Sequence, residues 1–355
     1  VTCDPPGVVT DLSRPADDRA DARADDRADA RADARADDNA AAAATTPGTP
    51  SRRRWLVALI ELVLLVALGA VLWKRRADLG AALDLDAGHL LALYALNALA
   101  VPLRTVELAA VTRPLGVTLS TLESAALTQA ATLLNYLPMQ AGTLLRARVL
   151  KKHRSLSYAR YIAVMSGLSI TGIGTAAVAG LLVLLLQPPL PPDVRTTAWA
   201  LFAAAAVLAA GFGLVPWQRL PWGARRLGQR LRELADGWHV LRTTPGLLPV
   251  VLATTFLTPV LLGLRYVACF DALSRDVPVA SSLLLGAAVF AALPVNVTPG
   301  GIGVRELVGA AIGAAAGLGF AEVLAAVTLD RVVSLLFSLS VGGASVVVLR
   351  RRGLR

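Results

Sequence analysis

The 355-residue chain is 55% hydrophobic and only 17% charged, with a formal net charge of +10. A soluble domain carries more charge, and here the apolar residues fall in blocks of about 20, enough to cross a ~30 Å hydrocarbon layer, which excludes an ordinary soluble enzyme. The basic excess sits beside these blocks, so it reads as membrane orientation and contact with anionic headgroups rather than nucleic-acid binding.

Residues 1–51 form a tail whose core repeats Ala, Asp and Arg (ADDRADARADDRADARADARADD, 16–38) with almost no apolar side chains. Such a segment buries too little surface to offset chain entropy and is expected to be disordered. It is either a solvated spacer or an upstream stretch admitted by a start site called too early. Residues 52–355 form the integral membrane domain. Lipid cannot satisfy backbone N–H and C=O groups, and no period-2 alternation suggests a barrel, so the blocks must be helices. The expected fold is all-α, a polytopic transmembrane bundle of about eight spans with two broken or re-entrant helices.

In chain order, the first span is Trp55–Trp73, between Arg52–Arg54 and Lys74–Arg76. The second is Leu90–Val111, with Arg104 and Glu107 inside it. A short block, Leu122–Leu137, precedes a very basic connection from Arg146 to Arg160. Spans follow at Tyr161–Leu186 and Thr196–Pro216, then a basic connection, 218–246. The last blocks are Leu247–Phe270, Ser281–Val297, Glu306–Phe320 and Glu322–Leu349, before Arg350–Arg352. The Lys/Arg bias places 146–160, 218–246 and the C-terminus in the cytoplasm of a plasma-membrane protein, with 187–195 and 271–280 outside. That count closes if Leu122–Leu137 is a re-entrant hairpin. The solution puts Lys74–Arg76 outside, against the rule, and an N-out start is the alternative. In 218–246, Leu227, Leu231, Leu234, Trp238 and Leu241 fall at helical spacing. This amphipathic helix lies either in the headgroup layer or on the protein's own surface.

Two of the four asparagines begin the same pattern, N-x2-P-x3-G. One reads Asn135, Pro138, Gly142, with Arg146 after it. The other reads Asn296, Pro299, Gly300, Gly301, Gly303, with Arg305 after it. Pro and Gly break helices, and broken helices in a membrane line buried or wet cavities. Paired interruptions in two halves point to a transport site. Half-helix N-termini and forked Arg donors suit a phosphate. The bland alternative is two proline kinks with snorkelling arginines. Glu306 pairs with Arg305 or Arg331, or takes a proton; Asp330 and Arg331 are charges inside the last span and functional candidates by depth. Glu61, Arg104 and Glu107 are equally well explained as structural pairs. The predicted lipid-binding set is therefore Asn135, Pro138, Gly142, Arg146, Asn296, Pro299, Gly300, Gly301, Gly303, Arg305, Glu306 and Arg331. Cys3 and Cys269 make no disulfide framework, and His89, His153 and His239 are isolated, so neither metal nor cofactor is expected.

The run from Asn296 to Glu306 with Arg331 in the last helix resembles the signature of the lysylphosphatidylglycerol synthase transmembrane region, a flippase-like family. The stretch from Asn135 through Gly142 and Arg146 resembles that family's first-half motif, and the likeness covers about residues 52–350. It implies a helical bundle with re-entrant segments that moves or handles anionic or isoprenoid-linked lipids. Family members often carry a Glu-Arg and a following Asp after the basic connection. Here 164–172 reads VMSGLSITG, without acids, which implies an altered first-half site. The aminoacyl-transferring members have a large soluble domain after the membrane region. This chain reaches Arg355 directly after its last span, so synthase activity is not expected within it.

The leading expectation is a flippase-like transporter rather than an enzyme, with anionic-headgroup membrane lipids as partners. One alternative is a glycosyltransferase using a polyprenyl-phosphate donor, with Asp84 and Asp86 holding a divalent metal. The other is a non-catalytic scaffold for a separate membrane or cytoplasmic enzyme.

Overall fold

The computed structural model describes residues 86–136, 141–154, 156, 158–186, 192–214, 238–292, 304–315 and 317–353. Every regular element among them is a helix. The tail, Glu61 and the first expected span, Trp55–Trp73, lie outside the described residues, as do Leu227, Leu231 and Leu234.

Helix α1 spans Ala87–Thr112. Asp86 caps it, accepting a 2.9 Å hydrogen bond from the His89 N–H. That bond holds the exposed Asp86 carboxyl below the usual carboxylate range. Asp86, one of the two acids considered for a metal, is thus engaged as a helix cap, while Asp84 is outside the described residues. The helix closes through a short 3-10 turn, Arg113–Leu115, onto Gly116 at φ 79°, where a side chain would be strained.

Helix α2, Thr121–Leu134, starts on a reciprocal capping box of Ser120 and Glu123. Helix α3 follows at Ala141–Arg154. Each has 14 residues, which gives about 21 Å of length against about 30 Å of hydrocarbon, so neither crosses alone. Most of the expected basic connection is therefore helix rather than loop. Its apolar stripe, Ala147 and Leu150, packs with Leu127, Leu156, Tyr161 and Leu349, and that burial holds the cationic segment in helical form.

Helices α4 (Tyr158–Leu186), α5 (Pro192–Leu214) and α6 (Leu247–Ala272) are long and apolar. Helix α7, Val279–Ala292, has 14 residues and α8, Val304–Ala315, has 12. They fall in the blocks read as Ser281–Val297 and Glu306–Phe320 on either side of the expected break at Asn296–Glu306, and their described lengths are about 21 and 18 Å, less than the hydrocarbon thickness. The sequence between them holds Pro294, Pro299 and three glycines, which disfavour a continuous helix. Helix α9 (Phe320–Phe337), a π turn (Ser338–Gly342) and α10 (Gly343–Arg351) make one continuous rod. Among the described residues, five segments are long and apolar enough to cross a membrane: α1, α4, α5, α6 and the α9–α10 rod.

Contacts between helix ends sort them onto two faces. At one face His89, at the start of α1, meets Asp271 at the end of α6, 3.2 Å apart. Beside them Arg275 pairs with Glu322 at the start of α9, at 3.3 Å. At the other face Glu123, at the start of α2, lies 4.0 Å from Arg352, just past α10. There Val111, Val164, Leu241 and Leu247 join the end of α1 to the beginnings of α4 and α6. The α2–α3 hairpin therefore opens on the Arg352 face, and the α7–α8 hairpin on the Arg275 face. The repeat read from the two motifs is two helical hairpins inserted from opposite sides.

Close backbone contact seats the second hairpin. A Cβ on Gly286 of α7 would overlap the Gly263 backbone of α6, and one on Gly263 would lie 2.6 Å from the Leu283 Cα. Small residues permit this approach, which supplies dispersion contacts that lipid cannot oppose by a hydrophobic effect. The end of the 218–246 segment packs on the protein itself. Residues 238–243 are helical, Leu241 is fully buried, and the Trp238 indole N–H donates to the Gly213 carbonyl at 3.0 Å.

Candidate functional site at the meeting of two hairpins

The first hairpin is closed by its own motif. Asn135 caps the end of α2, and its side-chain oxygen accepts the Thr143 N–H at the start of α3, at 3.2 Å. Gly142 lies against the Ala131 carbonyl so closely that a Cβ would overlap it. Asparagine and glycine at this spacing are what the clasp requires: one supplies an acceptor across the break, the other removes the atom that would block it. One of the α3 N-terminal donors is thereby occupied. Pro138 lies outside the described residues.

Beside the clasp, Tyr136 turns its ring toward α9. The Arg331 guanidinium stands over that ring, 5.8 Å from its centroid. Arg331 also donates from Nε to Glu306 Oε1, at 2.9 Å. Glu306 is the third residue of α8, so the tip of the first hairpin and the head of the second meet on one guanidinium. Glu306 is 3% exposed and Arg331 11%. Arg331 is 11 residues into α9, about 17 Å from the Arg275 face, which is near mid-membrane. Of the partners expected for Glu306, Arg331 is in contact with it. Arg305 is the second residue of α8. Asn296, Pro299, Gly300, Gly301 and Gly303 lie outside the described residues.

The neighbouring Asp330 faces another way. It is fully buried and forms an ion pair with Arg265 of α6. Arg265 also donates to the Ser334 hydroxyl, and Ser334 donates to the Asn97 side-chain oxygen of α1, at 3.3 Å. Consecutive residues of α9 thus tie α6 on one side and α8 on the other into a row of two acids and two bases. Paired in this way the charges sum to zero, which is the condition for holding them within a membrane. Sequence reasoning passed over Arg265, Asn97, Ser334 and Tyr136. A signal existed for Arg265, the lone charge in the span Leu247–Phe270.

Arg146 looks elsewhere. It donates a long 3.4 Å bond to the Thr128 carbonyl of α2 and lies beside the Tyr161 hydroxyl of α4. It is within Coulombic reach of Glu107 of α1. Glu107 thus faces both Arg104 and Arg146.

A guanidinium presents a fork of N–H donors suited to a phosphate or carboxylate, and Arg331 uses Nε on Glu306. A family model of the lysylphosphatidylglycerol synthase transmembrane region matches residues 55–342. No curated protein and no solved structure is matched. The family match takes in both hairpins and the charged row, and the chain belongs to the lysylphosphatidylglycerol synthase transmembrane-region family, multi-pass membrane proteins of lipid metabolism or transport.

Proposed function

We propose that this chain is a flippase-like transporter that binds and translocates an anionic phospholipid or isoprenoid-linked lipid. The observation that carries the reading is the junction of Tyr136, Arg331 and Glu306 between hairpins inserted from opposite faces. Half-spans entering from both sides bring polar groups to mid-membrane without exposing broken backbone to lipid. The headgroup phosphate engages Arg331, while the chains stay in the bilayer. The Arg352 face carries Arg148, Lys151, Lys152 and Arg350–Arg352, which supports a cytoplasmic position for that face and for the C-terminus in the plasma membrane. No catalytic role is assigned to the chain, and its partners are membrane lipids with anionic headgroups.

The test is a headgroup-protection assay with the purified chain in vesicles containing a fluorescent anionic lipid or a zwitterionic one. The expected result is protein-dependent exchange of the anionic probe between leaflets, faster than that of the zwitterionic probe. Absence of exchange, with metal-dependent turnover of a polyprenyl-phosphate sugar, would move the assignment to a glycosyltransferase. Absence of both activities would leave the scaffold reading.

A further inference from the structure

Partly buried arginines among the described residues come in two kinds. Arg265 and Arg331 each have a carboxylate in contact. Arg146, among the described residues, has no carboxylate within ion-pair distance and only the long bond to the Thr128 carbonyl. Its Nε is buried without a hydrogen-bond partner, and so are the Tyr161 hydroxyl and the Thr128 hydroxyl. The Ser124 hydroxyl, one turn earlier on α2, is in the same condition. These atoms belong to α2, α3 and α4 at the Arg352 side of the molecule, and Tyr161, Thr128 and Ser124 are all nearly or fully buried.

The chemistry of this set is one-sided. A guanidinium offers only donors, and each hydroxyl needs an acceptor for its proton. Polar groups left unmade in a low-dielectric site are costly, so they are rare unless something else completes them. The nearby acidic group is Glu107, which already faces Arg104 as well as Arg146. A tetrahedral anion supplies several acceptors at once and fits a fork of N–H groups. The location is on the strongly basic face, where an anionic headgroup arrives first.

We propose that Arg146, Tyr161 and Thr128 form a second anion subsite, which receives the phosphate group of a lipid at the Arg352 face before it reaches Arg331. This rests on the transport reading for its cargo, but the subsite itself is defined by equilibrium binding. Glu107 holds Arg146 by long-range attraction until the phosphate displaces it.

The experiment uses the full chain in phosphatidylcholine nanodiscs, titrated with short-chain phosphatidylglycerol, with inorganic phosphate as a soluble competitor. Arg146→Gln should weaken phosphatidylglycerol binding by about 10- to 100-fold, and Tyr161→Phe and Thr128→Val by several-fold each, on the order of one hydrogen bond. In phosphatidylcholine alone, Tyr161→Phe and Thr128→Val should melt no lower than the parent, because each removes an orphaned hydroxyl. Both should lose part of the melting shift that phosphatidylglycerol induces. A purely structural role would reverse this pattern, lowering the melt in phosphatidylcholine and leaving the lipid-induced shift intact, and that result overturns the subsite. Competition by inorganic phosphate assigns recognition to the phosphate group alone; lack of competition assigns it to a membrane-borne phosphate. If Arg146→Gln does not fold, the two isosteric variants decide. Selective binding by the parent without any headgroup exchange would defeat the transport reading and keep the subsite. Exchange with all three variants binding normally would defeat the subsite alone.

Discussion

Glu306 and Arg331 should behave as one unit in a double-mutant cycle. The two charges touch at 2.9 Å and are almost completely removed from solvent. Taking either away leaves the other buried and uncompensated, which costs about 3–5 kcal/mol, or two to nearly four decades in the folding equilibrium. Arg331 keeps the Tyr136 ring after loss of Glu306, worth about 0.5–2 kcal/mol. Glu306→Leu should therefore be the milder single change and Arg331→Leu the harsher. The pair Glu306→Leu with Arg331→Leu buries no charge and should recover most of the loss, giving a coupling at least as large as one single loss, about 3–5 kcal/mol or more. Reversible unfolding of the four proteins in mixed detergent micelles reads these values. Single variants as stable as the parent, or losses that simply add, would refute the reasoning, because the charges would then be solvated or differently paired.

Other consequences follow from the same geometry. Gly142→Ala should destabilise the chain by about 1–3 kcal/mol or more through overpacking against Ala131, seen as a lower melting temperature, whereas Gly116→Ala, with nothing within 4 Å of a built Cβ, should cost only backbone strain of about 1–2 kcal/mol. Gly286→Val should separate α7 from α6 and lower the yield of folded protein on size-exclusion chromatography more than Gly343→Val, which has open space beside it. Arg265→Leu should destabilise about as strongly as Arg331→Leu, with recovery when Asp330→Leu is added and a coupling again of about 3–5 kcal/mol or more. The Asp86 cap should depend on pH. Its folded carboxyl titrates below the ordinary value, so its contribution is complete above roughly pH 4 and is lost as pH falls through the lower folded value. The protection of the His89 amide, its exchange rate corrected for the intrinsic pH dependence, should fall over that acidic interval and stay constant above it.

Much of the frame was readable in the sequence, because lipid imposes a length rule on every crossing helix. Leu90–Val111, Tyr161–Leu186 and Leu247–Phe270 differ from α1, α4 and α6 by a few residues at each end. Orientation parity called for a re-entrant hairpin within Leu122–Leu137, but that block is a single limb, Thr121–Leu134, and the second limb is Ala141–Arg154 in the basic stretch after it. For Ser281–Val297 and Glu306–Phe320 parity is silent, because two spans and one re-entrant hairpin return the chain to the same side; there the break was read from Asn296, Pro299 and the glycines instead. The helical state of 146–154 was hidden by its charge, since Ala147, Val149 and Leu150 are outnumbered by cations in any window average. The charged row was half legible. Glu306, Asp330 and Arg331 stood out by depth, but the contact of Arg331 with Glu306, and of Arg265 with Asp330, depends on which helices pack together. Tyr136 gave no warning at all, because cation–π contact is a property of the fold and not of spacing.

The central claim is that the guanidinium shared by the two hairpin tips handles the lipid anion. The most direct measurement is the headgroup-exchange rate of a fluorescent anionic lipid in vesicles holding equal amounts of folded parent or Arg331→Gln protein. The account expects exchange by the parent well above protein-free vesicles, and a loss of about 10-fold or more in the variant, the scale of one charge-assisted contact. Exchange by folded Arg331→Gln at the parental rate would contradict it, and the junction would then be a structural tie between the hairpins.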